Sequence, residues 1–354
     1  MTDRPALWLR HESRDSEQRT PIVPADARTL IARGVSLTVE RSPHRMFPIA
    51  EYADAGCRIA EPGSWVDAPA DSVVVGLKEL PAAPAALRHR HVMFGHAYKG
   101  QPGAVELLRR FVAGGGELLD LEYLVDDAGR RLTAFGYWAG YVGAALAVLS
   151  ARGTLTTPLR SLTREVLDGE LADRPDSAPP RALVIGALGR SGHGARDALA
   201  VAGIEPTRWD IEETRALDKE ALLGHDILVN TVYTDRPATP FVTGDDVVDP
   251  GRRLATIVDV TCDAGSPYNL LPIYDTVTDW QAPVRRLVDE TDGPAPLDLI
   301  AIDNLPSLLP VEASIGFSAD LAPHLLTLND PDSAWRGCRA RFRAACEDLE
   351  VRHG

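Results

Sequence analysis

The chain has 354 residues, 45% hydrophobic and 25% charged, which suits two domains of ordinary size, each burying its own core. With 51 acidic against 37 basic residues the net charge is −14, which argues against nucleic acid or an anionic membrane as partner. Any anionic small-molecule substrate must then be held by a local cluster of Arg and Lys. Cys57, Cys262, Cys338 and Cys346 show neither a C-x-x-C pair nor metal-ligand spacing with His, so reduced cytoplasmic thiols and no metal are expected. No basic start followed by an apolar run marks a secretory signal. The uncharged stretch Ala134–Leu149 has 16 residues, short of the roughly 20 that span a bilayer.

In chain order, Ala6–Leu9, Val35–Val39, Ser72–Leu77, His91–Phe94 and Glu117–Leu121 read as strands. Pro24–Ala32 and Val105–Val112 read as helices, the second stopped by Gly114–Gly116. A buried helix near 135–150 follows, its small residues suited to close packing between two domains. Thr154–Pro180, polar and Pro-rich, reads as a surface excursion. Further strands fall at Leu183–Ile185, Thr207–Asp210, Ile227–Val232, Ala255–Val260 and Leu299–Ile302, and Ser333–Val351 is a helical tail that crosses back. The expected fold class is α/β: two Rossmann-like, doubly wound parallel-sheet domains with a cleft between them. The first takes 1–134 plus 318–354, the second 135–317.

Ala182-Leu-Val-Ile-Gly-Ala-Leu-Gly-Arg-Ser-Gly-His-Gly194 is an apolar strand breaking into a glycine turn and then a helix. Backbone N–H groups and the positive end of a helix dipole make such a turn an anion site. Asp210 ends the next apolar run about 24 residues past Gly186, where a ribose-binding acid belongs. The spacing departs from G-x-G-x-x-G, so strand, helix and acid together carry the reading of a dinucleotide site; a tight βα turn without a ligand is the plain alternative.

Three strands of the first domain end on titratable residues: Lys78-Glu79, His96 with Tyr98 and Lys99, and Glu122. In an open α/β sheet these ends line the binding crevice. Lys and His on neighbouring ends can work as two acid–base groups. Each alone reads as well as a solvated surface group; the set points to a site. Arg19, Lys99, Arg130 and Arg131 are candidates for clamping carboxylates, although Arg130-Arg131 after Asp126-Asp-Ala-Gly129 also fits a charged hairpin tip. No G-x-S-x-G elbow supports acyl-enzyme chemistry, and a nicotinamide cofactor would make a Schiff base at Lys78 unnecessary.

Taken together, these blocks resemble the NAD-dependent, lysine-forming saccharopine dehydrogenases of the fungal type, within the alanine dehydrogenase group. The resemblance rests on Arg10-His-Glu…Glu17-Gln-Arg19-Thr-Pro, Gly76-Leu-Lys78-Glu79, Gly95-His96-Ala-Tyr-Lys99, Asp120-Leu-Glu122, Gly129-Arg-Arg131 and Ala134-Phe-Gly-Tyr-Trp-Ala-Gly140. It continues through Ile185-Gly-Ala-Leu-Gly-Arg190, Trp209-Asp210-Ile-Glu-Glu-Thr214, Val258-Asp-Val260, Pro272-Ile-Tyr and Ile302-Asp303-Asn-Leu-Pro-Ser-Leu-Leu-Pro310. It implies that saccharopine, NAD and water give lysine, 2-oxoglutarate and NADH. Lys78 would take the amine proton and His96 would serve hydration and collapse, with Glu79 and Glu122 tuning the pair. Arg19, Lys99, Arg131 and Phe135 fall on substrate positions. Arg130, Gly189, Arg190, Ser191, Asp210, Thr214, Tyr233, Val260, Ile302, Asp303 and Leu305 fall on cofactor positions. The resemblance further implies a monomer.

The chain departs from that pattern at Ser191, where fungal members usually carry Cys, at Asn304, usually His, and at Val311, usually Arg. Two alternatives therefore stand beside the saccharopine reaction: a related opine or amino-acid dehydrogenase with another amine or oxo acid, and a non-catalytic NAD-binding protein.

Overall fold

The computed structural model describes residues 4–173, 178–289 and 295–353. The chain divides into two compact units, Met1–Ala134 with Ala313–Gly354, and Phe135–Glu312. Sequence places the return to the first unit at 318; the division falls at Ala313, inside helix α10 described below.

In the first unit the apolar runs become β1 (Ala6–Leu9), β2 (Ser36–Glu40), β3 (Arg58–Ala60), β4 (Ser72–Val75), β5 (Arg90–Met93) and β6 (Glu117–Asp120). They pair in parallel in the order β3-β2-β1-β4-β5-β6. Val73-Val-Val75 is buried throughout, as a central strand of a sheet covered on both faces must be. The chain runs outward from β1 through β3 and then returns to β4 on the other side. The order thus reverses between the carboxyl ends of β1 and β4, the point where a crevice opens in such sheets. Helices α1 (Pro24–Ala32), α2 (Ile49–Asp54) and α3 (Ala104–Gly114) connect these strands. Phe111 of α3 packs edge-on against Phe342, at 5.6 Å between ring centres, on the helical tail.

The second unit starts with α4 (Gly136–Ala151) and α5 (Arg164–Ala172), then β7 (Ala182–Ile185), α6 (Arg190–Val201), β8 (Thr207–Trp209), α7 (Ile211–Arg215), α8 (Lys219–Leu223), β9 (Ile227–Asn230), α9 (Gly244–Val247), β10 (Thr256–Asp259), β11 (Arg285–Val288) and β12 (Leu297–Ile300). Its sheet runs β11-β12-β10-β9-β7-β8, with the order reversing between β7 and β9. Five strands are parallel; β11 joins β12 antiparallel, so this sheet is not wholly parallel as expected. The chain leaves through α10 (Pro310–Leu325) and ends on α11 (Trp335–His353).

The small residues of α4 do their packing inside the second unit. A Cβ on Gly140 would lie 1.8 Å from the Ser191 carbonyl oxygen, and one on Gly194 would lie 1.9 Å from that of Tyr137. Helices α4 and α6 therefore cross backbone to backbone, and residues 140–149 of α4 are buried on every side. An uncharged 16-residue run is what such a site selects. Among the described residues no helix is long and apolar enough to cross a membrane.

The stretch Thr154–Pro180 is more than an excursion. It contains α5, which buries Leu167 and Leu171 and is capped by the Thr163 hydroxyl accepting the Val166 N–H. Residues 174–177 of that stretch lie outside the described ones.

Candidate active site

The site in the first unit is built where its strand order reverses. The chain leaves β1 as Arg10-His11-Glu12 and leaves β4 as Gly76-Leu77-Lys78. Glu12, nearly buried, accepts the N–H of Leu77 at 2.7 Å and of Lys78 at 3.0 Å. Arg10, 1% exposed, pairs with Glu12 at 3.3 Å and donates to the carbonyl of Lys78. Gly76 makes room for it: a Cβ there would meet the Arg10 guanidinium at 2.4 Å. A buried ion pair thus holds the backbone of Lys78 from both sides. Buried charges survive only when paired and hydrogen-bonded in this way.

Four further charges surround that loop. Glu17 and Arg19 form a buried two-point pair, Nε to Oε1 at 2.8 Å and Nη2 to Oε2 at 2.6 Å. Burial works to raise the Glu17 carboxyl, but the Arg19 fork and the charge of Lys78 outweigh it and hold it below its ordinary value. Glu79 is half exposed and pairs with Arg14. Partial burial would raise it, and Arg14 together with Lys78 lowers it instead. Arg19 is paired with Glu17 through Nε and Nη2 and Glu79 with Arg14, and Lys78 lies within electrostatic reach of both carboxylates.

Strand β5 is the neighbour of β4 and ends on Phe94-Gly95-His96. His96 has φ +48°, a left-handed conformation uncommon outside glycine, with its ring stacked on Phe94. Strand β6 ends on Asp120, fully buried beneath that turn; a Cβ on Gly95 would stand 3.1 Å from its Oδ2. Oδ1 accepts the Glu122 N–H at 3.0 Å. Burial pushes the Asp120 carboxyl up to about 6, with Glu122 adding to the rise while the backbone N–H groups and His96 oppose it. Glu122 itself faces Lys99, 3.8 Å away.

The hairpin expectation for Arg130 and Arg131 is met geometrically. Val125 and Arg131 form an antiparallel bridge, and Arg130 is tied to Asp126 at 2.8 Å at the tip.

In the second unit the glycine turn lies where β7 and β9 diverge. Gly186 has φ +81°, and a Cβ on it would reach the Thr231 hydroxyl at 2.6 Å. A Cβ on Gly192 would lie 2.1 Å from the Gly186 carbonyl oxygen, so α6 starts hard against the turn. No side chain caps α6 at Gly189, which leaves its first N–H groups for an anion. The helix begins at Arg190, directly after the turn. Asp210 reaches back to the turn: Oδ2 accepts the Leu188 N–H at 2.9 Å and Oδ1 that of Ile211. The Thr214 hydroxyl donates to the Asp210 carbonyl at 2.9 Å. This cradle and its acid fit a dinucleotide: backbone room at Gly186 and Gly192, open helix N–H groups, and a carboxylate beside the turn.

The remaining expected cofactor positions sit at the same carboxyl edge. Tyr233 is exposed past β9, and Val260 follows β10 and packs near Leu305 on Gly143 of α4. Ile302 and Leu305 are core side chains, whereas Asp303 between them is exposed. Ser191 lies against α4 at Gly136, and Phe135 opens α4. Asn304 precedes the single turn Leu305–Leu308, and Val311 stands in the first turn of α10.

Arg10, Glu12, Glu17 and Asp120 received no role from sequence. For Arg10, Glu12 and Asp120 the available signal was charge set on or just after an apolar strand, a costly placement that needs a reason. Asp259 is a second case. Fully buried at the end of β10, it accepts from Tyr274 at 2.6 Å, Thr261 at 2.7 Å and Asn230 at 3.1 Å. Among the described residues no group of three or more His, Cys, Asp or Glu is placed to hold a metal ion.

Two such units define a class. Residues 8–142 match the family model for the alanine dehydrogenase/PNT N-terminal domain. Solved structures of an L-alanine dehydrogenase (TM-score 0.67, 16% identity, 97% of this chain and 99% of that one) and of a transhydrogenase from Sinorhizobium meliloti (0.63, 18%, 91% and 94%) share the fold. Within that class, the chain belongs to the family of NAD(+)-dependent, L-lysine-forming saccharopine dehydrogenases. It is 41% identical to the one from Emericella nidulans, across 95% of this chain and 96% of the relative. It is 40% identical to that of Yarrowia lipolytica (97% and 98%) and 41% to that of Schizosaccharomyces pombe (95% and 96%).

Proposed function

We propose that this protein is an NAD-dependent oxidoreductase that oxidises saccharopine, with water, to lysine and 2-oxoglutarate, and runs the reverse reductive condensation. The observation that carries the reading is full-length similarity to that family together with Lys78 and His96 on adjacent strand ends, Lys78 held at its N–H by buried Glu12 and His96 following Gly95, beneath which Asp120 is buried. The first unit is the substrate and catalytic domain; the second binds NAD through Gly189–Ser191, Asp210, Thr214, Tyr233, Val260 and Ile302–Leu305.

NAD, held by those residues, would supply the hydride acceptor for the carbon that carries the secondary amine. Lys78 takes the proton of that amine as the C=N bond forms. Glu17 and Glu79, the carboxylates within electrostatic reach of Lys78, are themselves paired with Arg19 and Arg14. His96 takes a proton from the water that adds to the imine carbon, and returns it as the C–N bond breaks to release lysine. Arg19, Lys99 and Arg131 offer cations to a substrate with three carboxylates. Glu79 and Glu122 tune the Lys78–His96 pair.

Asp210 accepts ribose hydroxyls and repels a 2′-phosphate, which favours NAD over NADP. The reading includes a monomeric, cytoplasmic enzyme with small-molecule partners; sedimentation tests the first part. Following NADH absorbance with purified protein, NAD and saccharopine tests the reaction. Turnover with a different N-substituted amino acid would instead indicate a changed substrate, and NAD binding without turnover a non-catalytic protein.

A further inference from the structure

Away from the loops that carry Lys78 and His96, the amino-terminal edge of the first unit's sheet holds a basic groove. Arg90 opens β5, and α11 sets Arg336, Arg339 and Arg343 at spacings of three and four, on one face of the helix. With Leu328, Asn329, Pro331 and Ala340 they line a cavity of about 640 Å³ with no carboxylate among its lining residues. In a chain of net charge −14 this concentration of guanidinium is local and unusual.

Two of the four are preset. Arg90 donates from both Nη atoms to Asn329 Oδ1 at 3.1 Å, and Arg339 donates to the Leu328 carbonyl with Glu117 no nearer than 3.9 Å. Arg336 and Arg343, exposed on α11, have no side-chain hydrogen bond or ion pair among the described residues. Burial lowers the Arg90 guanidinium from its ordinary value, Glu117 and more weakly Asp71 oppose that, and the like charge of Arg339 adds to it, which places the two cations close enough to repel one another. An anion with two or more charged groups relieves that repulsion and supplies acceptors to the open forks. Four cations around a concavity do not make the 6–10 phosphate contacts along a duplex that characterise nucleic-acid binding, so a small ligand fits better.

We propose that this groove is a binding site, separate from the catalytic one, for a compact multivalent oxyanion, a diphosphate or a polycarboxylate. Calorimetric titration of the NAD-saturated protein with pyrophosphate, and separately with citrate, tests it at matched ionic strength. Saturable binding at or below about 1 mM is expected. The double variant Arg336→Gln/Arg343→Gln should weaken it by about tenfold or more, the scale of losing a charge-assisted contact, while its circular dichroism and its turnover stay those of the parent protein. The stronger of the two probes identifies the ligand class. Absence of saturable binding, or equal binding by the double variant, overturns the proposal; any heat that persists in the variant belongs to another site. Arg90→Gln provides a second check from the β5 side, and must weaken the same binding if the groove is the site.

Discussion

Glu12 accepts the backbone N–H of Lys78 at 3.0 Å from a position almost closed to solvent, while Arg10 grips the carbonyl of the same residue. Lys78 is therefore presented by a loop whose two ends of one peptide segment are fixed by a buried ion pair from the neighbouring strand. Glu12→Gln keeps the shape and loses the charge that balances Arg10. Unfolding in urea should show a loss of about 1–3 kcal/mol, and turnover should fall with NAD affinity unchanged. An unaltered rate in a stably folded variant would show that Lys78 needs no such support.

Lys78→Met removes the proposed base while leaving Glu12 and Arg10 in place. The expected loss in turnover is about 10²-fold or more, the usual scale of a general acid–base group. Near-normal rates would take Lys78 out of the mechanism, whatever the substrate.

Asp120 gives a stability test with a defined sign. Burial raises its carboxyl from the ordinary 3.8 to about 6, so the folded protein holds this proton more tightly than the unfolded chain. The associated stability is full below about pH 4 and is lost as pH rises through about 6, by about 3 kcal/mol for a shift of some two units. Asp120→Asn should abolish that slope, and its stability relative to the parent should climb between those pH values. Parallel curves of urea stability against pH for the two proteins would refute the assignment.

Asp210→Ala separates the two nicotinamide cofactors. The carboxylate faces the glycine turn through Leu188, so its loss should weaken NAD by about tenfold or more, as expected for a charged hydrogen-bonding partner, and weaken NADP much less. Equal losses for both cofactors in fluorescence titrations would contradict a ribose role.

Most of the sheets could be read in the sequence because buried parallel strands appear as unbroken apolar runs, as at Val73-Val-Val75 and Ile227–Val229. What escaped had no such signature. Strand β3 is three residues with Arg58 at its start, and β11 begins with two arginines and lies at an edge, where one face and one ladder suffice. Helix α5 buries just Leu167 and Leu171 and carries Gly169, too weak a period to stand out among its polar neighbours. At the site, Lys78 and His96 were legible as strand-end residues. The tie of Glu17 to Arg19 and the position of Asp120 under Gly95 depend on side-chain direction and on a glycine's missing Cβ, which the order of letters does not convey.

The central claim is that this chain oxidises saccharopine with NAD. The most direct measurement is the rise of NADH absorbance when purified protein meets both, read beside Lys78→Met at equal concentration. Turnover by the parent protein with stoichiometric lysine and 2-oxoglutarate is expected, and loss of about 10²-fold or more in the variant. No NADH from saccharopine under conditions where NAD binds, or equal rates in the two proteins, would contradict it.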